Sequence, residues 1–115
     1  MIQGFWNTRD VYVDGVPLSP ERSQKLVNHS PSGFCWGYRG SGPSQLALAL
    51  LLNAGATNEE AVAWYQQFKE EAIAPLPQDN FELPTERVSE WLEVRRMFAD
   101  EFERGGHEGI SAHSN

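Results

Sequence analysis

The chain has 115 residues, one cysteine, 40% hydrophobic residues and a net charge of −7. That length supports one domain with one core and excludes two. The lone Cys35 excludes an internal disulfide, no apolar run approaches the ~20 residues that span a bilayer, and so acidic a surface repels a nucleic-acid backbone.

From the N-terminus, Phe5-Trp6 reads as a short strand. Val11-Tyr12-Val13 reads as a strand, Asp14-Gly15 as a hairpin turn and Val16-Pro17-Leu18 as the return, with Pro17 marking an edge or a strand end. Met1 to Trp6 lacks the basic and apolar regions of a signal peptide, so a cytoplasmic location is expected. Ser19-Pro20-Glu21 opens a short helical turn, Asn28 to Gly33 is a loop by composition, and Phe34 to Tyr38 reads as a strand with Phe34, Trp36 and Tyr38 on one face.

Pro43 to about Asn53 is a predicted helix, capped by Gly42 and closed by Gly55. Leu46 to Leu52 leaves it almost no polar face, so it should be covered on most sides. Thr57-Asn58-Glu59-Glu60 is a capping box. The helix after it places Ala61, Trp64, Tyr65, Phe68 and Ala72 on one apolar stripe. Ile73 to Leu76 is predicted as a short strand, Gln78 to Asn80 as a turn and Phe81 to Leu83 as an extended segment. A third long helix, about Glu86 to Glu103, buries Val88, Trp91, Leu92, Phe98, Ala99 and Phe102 and stops at Gly105-Gly106. The expected fold is therefore α+β: a single domain over residues 1–104 with a short antiparallel sheet packed against three main helices. Residues 105–115 are expected to form a disordered C-terminal tail.

Charge divides unevenly. Residues 1–56 carry four basic and three acidic side chains, whereas residues 57–115 carry five basic and thirteen acidic ones. The acidic half suits a protein or complex with a basic surface, and Glu86, Glu90, Glu93, Asp100 and Glu101 are the candidate contact residues. Simple solubility explains the same charge.

The second candidate is the turn from Trp36 to Ser44. Its glycines permit close backbone approach, and a helix start presents free N–H groups. Arg39, Gly40, Ser41, Gly42 and Ser44 are the candidate contacts for a phosphorylated or carboxylate ligand, with Trp36, Tyr38 and His29 at its sides. The pattern is neither a P-loop nor a dinucleotide fingerprint, and it equally suits a tight corner in a small core.

Other chemistries find little support. His29, His107 and His113 lie far apart and Cys35 has no partner cysteine, so no metal site is expected. Ser41 lacks a nucleophile elbow because Arg39 occupies the first glycine position of that motif. Cys35 and His29 have no evident third orienting group. No catalytic residue and no cofactor is assigned, and the chain is read as non-enzymatic.

The run Asn28-His29-Ser30-Pro31, then Phe34, Trp36-Gly37-Tyr38 and Gly40-Ser41-Gly42-Pro43 followed by Gln45-Leu46-Ala47-Leu48-Ala49, resembles a family of small proteins of unknown function from bacteria, archaea, phages and plasmids. The resemblance spans roughly residues 8–100. Arg39 departs from the family's frequent glycine and Cys35 from its frequent polar residue. The resemblance implies a fold and a mobile-element setting in the cytoplasm of a bacterial host, in which the basic partner is a host protein or complex and interference with host defence is the expected purpose. Sequestration of an anionic or nucleotide-like ligand is the alternative.

Overall fold

The computed structural model describes residues 1–114, with side-chain surroundings for residues 1–99. The elements are β1 (Ile2–Phe5), β2 (Asp10–Val13), β3 (Val16–Pro17), α1 (Glu21–Leu26), α2 (Ser41–Asn53), α3 (Asn58–Phe68), β4 (Phe81–Leu83) and α4 (Thr85–Ser114). The chain is an α+β fold. Its four strands form one antiparallel sheet in the order β3-β2-β1-β4. Helix α4 runs on through Gly105-Gly106, where the sequence reading stops it; the expected burial of Phe102 lies outside the residues whose side chains are described.

The sheet follows from alternation along each strand. Ile2, Val11, Val13, Phe81 and Leu83 are buried, which turns their neighbours Gln3, Phe5, Asp10, Tyr12 and Glu82 to the opposite face. Gly4 lies opposite Phe81 in the β1–β4 register, where a Cβ would fall 2.0 Å from the Phe81 ring. The hairpin turn carries positive φ at both Asp14 (51°) and Gly15 (82°), the backbone that matches strand twist in a two-residue turn.

Helix α2 is the axis of the core. Every residue from Gly42 to Leu52 is buried, and the helix packs against α1, α3, α4 and the turn that follows α3. The predicted capping box starts α3: the Thr57 hydroxyl accepts from the Glu60 N–H at 3.1 Å, and the Glu60 carboxylate accepts from the Thr57 N–H at 2.9 Å. Ala61, Tyr65 and Phe68 are buried along its stripe, with Trp64 and Ala72 packed partly beneath the surface.

Four further expectations are corrected. Phe34 to Tyr38 is not a strand: its backbone turns at Gly37, with φ 84°, and the Gly37 N–H donates to the Ile73 carbonyl at 3.1 Å. Ile73 to Leu76 is not a strand either, because α3 continues as a π-helical turn over Lys69–Ile73 that buries Ile73. Helix α2 begins two residues earlier than expected, with Gly40 as N-cap; Pro43 is tolerated because the first turn has no intrahelical acceptor for its missing N–H. Finally, Phe98 is 62% exposed. Val88 and Leu92 are buried in α4 as expected, but the apolar stripe turns outward beyond Arg95.

Candidate functional site

The residues of the glycine turn mostly hold one another. Trp36 is fully buried, its ring meeting Trp6 and Phe81 edge-on at 5.6 and 4.8 Å between centroids. Its indole N–H donates to the Asp79 carbonyl at 2.8 Å. Gly42 lies against Cys35, where a Cβ would stand 2.6 Å from the Cys35 Cβ. Ser44 is buried, and its hydroxyl is 3.5 Å from Gln66 Oε1. Arg39 is exposed and pairs with Glu70 at 2.8 Å, across the turn that follows α3. Tyr38 is exposed at the rim, where partial burial, and then the neighbouring Cys35 thiol, push its phenol above the ordinary value of 10.0. Ser41 alone of the two candidate serines reaches solvent.

His29 belongs to a different junction. Its ring Nε2 hydrogen-bonds the Tyr65 hydroxyl on α3, and its backbone N–H donates to Gln45 Oε1 at 2.8 Å. Gln45 is fully buried and makes four bonds. Its oxygen accepts from His29 and Ser30; its Nε2 donates to Ser23 Oγ at 2.8 Å and to the Val27 carbonyl at 3.1 Å. The Asn28-to-Pro31 run and the Gln45 position are thus one polar lock joining α1, the loop and α2. Sequence reasoning missed Gln45, although a lone amide opening a run of leucines and alanines is a signal for a satisfied buried group.

The acidic candidates on α4 come together. Glu86, Glu90 and Glu93 are all exposed, and spacings of four and three residues set them on one stripe of the helix. Among the described residues none of the three forms an ion pair. Arg95 and Arg96 on the same helix are turned toward α3: Arg95 Nε donates to Gln67 at 2.9 Å and lies over the Trp64 ring, while Arg96 pairs with Glu60 at 2.7 Å and donates to the Gly55 carbonyl at 3.2 Å. Arg95 and Arg96 are therefore engaged with α3 and its cap, while Arg87, exposed between Glu86 and Glu90, is the basic side chain along the stripe itself. The stripe continues into Val94 and Met97, with Phe98 beside it, all three exposed. The sequence stripe missed this apolar end because it counted Phe98 as core. Asp100 and Glu101 lie outside the residues whose side chains are described.

Among the described residues no three of His, Cys, Asp and Glu come together as a metal site, and no helix is long and apolar enough to cross a membrane. Comparison with curated proteins and with solved structures finds no match to either. A family model described as a family of unknown function, DUF6166, matches residues 4–94, from within β1 into the third turn of α4. That span holds the sheet, the buried helix and the polar lock, and the chain belongs to this family.

Proposed function

We propose that this chain is a non-enzymatic binding protein whose α4 outer face docks on a basic protein surface. The observation that carries the reading is the single stripe of Glu86, Glu90 and Glu93 running into exposed Val94, Met97 and Phe98. Exposed carboxylates outnumbering the one cation among them, Arg87, steer a basic partner into contact. An apolar cluster beside them supplies the desolvated contact on which interface affinity concentrates. In the mobile-element setting that the sequence resemblance implies, the partner is a complex of the bacterial host, and occupying its basic surface inhibits it. A photo-cross-linking side chain at Met97, in protein expressed in a bacterial host, tests the reading directly. The expected adduct is a protein whose linked segment is rich in Lys and Arg; adducts that are acidic or random overturn it.

A second reading places an anion at the start of α2. It is favoured by the absence of any side-chain cap on that helix and by the exposed Ser41. The Arg39–Glu70 pair weighs against it, because the cation needed for useful affinity is already engaged. Nucleotide calorimetry tests this reading: heat of binding that vanishes in Arg39→Ala supports it.

A further inference from the structure

The outer face of the sheet carries a different feature. Strand alternation turns Gln3, Phe5, Asp10, Tyr12 and Glu82 away from the core, and the β1–β2 register sets Phe5 beside Asp10 and Gln3 beside Tyr12. Phe5 is 40% exposed and meets Tyr12 edge-on, with centroids 5.7 Å apart. A groove of about 590 Å³ opens over this aromatic pair, lined also by Gln3, Asn7, Asp10 and Asn80. A depression of about 360 Å³ beside it shares Gln3, Phe5 and Asn80 and is bounded by Glu82. These volumes are of the size that holds a small ligand or one or two side chains.

The charge of this face is of one sign. The charged groups lining the two hollows are the carboxylates of Asp10 and Glu82. Among the described residues neither forms an ion pair. The polar contact to Glu82 is the Gln3 amide at 3.5 Å. Arg9, adjacent to Asp10 in sequence, is committed elsewhere: its guanidinium lies 3.6 Å from the centre of the Trp6 ring and its Nε donates to Cys35 Sγ at 3.4 Å.

We propose that this face is a binding site for an arginine-bearing segment of a partner protein. A guanidinium stacks on an exposed aromatic face and pairs with a carboxylate in a planar fork, so one side chain satisfies both Phe5–Tyr12 and Asp10. An arginine further along the segment reaches Glu82 across Gln3, which lies between Tyr12 and Glu82 in the sheet. A second copy of this chain is a poor occupant, because each copy brings carboxylates and no free cation to the face. The site lies on the sheet rather than on α4 and does not depend on the reading proposed for that helix.

The test is a titration of the full ¹⁵N-labelled chain with the acetylated, amidated hexapeptide Gly-Arg-Gly-Arg-Gly-Arg, followed by amide chemical shifts. Saturable shifts are expected at Gln3, Phe5, Asp10, Tyr12 and Glu82. The double substitution Asp10→Asn with Glu82→Gln should weaken binding at least about tenfold, equivalent to ~1.4 kcal/mol, with an unchanged melting curve because both side chains are exposed. The same peptide with citrulline in place of arginine should not bind. Substituting Glu86, Glu90 and Glu93 by Gln should leave the titration as it is, which separates this site from α4. The proposal is overturned by shifts that are absent or confined to α4, by full affinity in the double variant, or by equal binding of the citrulline peptide.

Discussion

Gln45 Oε1 accepts the backbone N–H of His29 at 2.8 Å, so a fully buried amide on the central helix fixes the loop that carries the Asn28-to-Pro31 run. The bond explains why that run and the helix start read as one long motif although a dozen residues separate them: they are two sides of one junction. A buried donor or acceptor left without its partner costs about 1–3 kcal/mol. Gln45→Leu strands the His29 and Ser30 amides and the Val27 carbonyl together, and it should cost at least ~3 kcal/mol on that scale. Urea denaturation reads this as a lower midpoint. A wild-type midpoint would mean that the lock is dispensable.

Gly42 and Cys35 give a second stability prediction. Because a Cβ at Gly42 would meet the Cys35 Cβ at 2.6 Å, Gly42→Ala should destabilise by about 1–3 kcal/mol, as overpacking does. Cys35→Gly removes that Cβ, so the double variant should recover part of the loss. A double-mutant cycle with no coupling would place the two residues out of contact.

The Arg39–Glu70 pair predicts the opposite outcome. Both side chains are largely in solvent, at 76% and 42% exposure, and exposed pairs contribute about 0–1 kcal/mol. Arg39→Ala should therefore melt within a few degrees of wild type. A large loss would assign the pair a structural role that its exposure argues against.

Acid unfolding should report the Glu60–Arg96 pair. Hydrogen bonding to the Arg96 guanidinium holds the Glu60 carboxyl down at about 2, against an ordinary 4.5 and against the opposing push of burial. A carboxyl lowered in the folded state contributes stability that is complete above its unfolded value and is lost as the pH falls through its folded one. The contribution should thus fade between about 4.5 and 2. Glu60→Gln keeps the N3 capping geometry and removes only the charge. Its melting temperature should be lower than wild type at pH 6 and converge with it near pH 2. Parallel curves for the two proteins would contradict the assignment.

Much of the fold was legible where local rules and burial agree. The Asp14-Gly15 hairpin, the Thr57–Glu60 capping box and the buried helix from Leu46 each carry a signal complete within a few residues. Phe81 to Leu83 read only as extended; that it pairs with β1 is a long-range fact its three residues do not contain. The failures have a common cause. Phe34 to Tyr38 alternates like a strand, yet Gly37 turns the chain and Trp36 is held by Trp6, Phe81 and Asp79, none of them near in sequence. The π-helical turn after α3 depends on tertiary packing of Ile73. At the candidate sites, residue types were readable and their partners were not. Arg39 beside a glycine turn suggests an anion, until Glu70 arrives from another element. The three glutamates of α4 kept their predicted exposure, and Arg95 and Arg96 proved to face α3.

The measurement that most directly tests the α4 reading is the association rate with the protein cross-linked at Met97, at low and physiological salt. Wild type should associate quickly and slow with salt, since exposed charges are screened beyond about 8 Å at physiological ionic strength. Reversing Glu86, Glu90 and Glu93 to Lys should cut the rate by at least about tenfold and abolish its salt dependence, with the melting curve preserved. A rate indifferent to both salt and the reversals would contradict docking through this face.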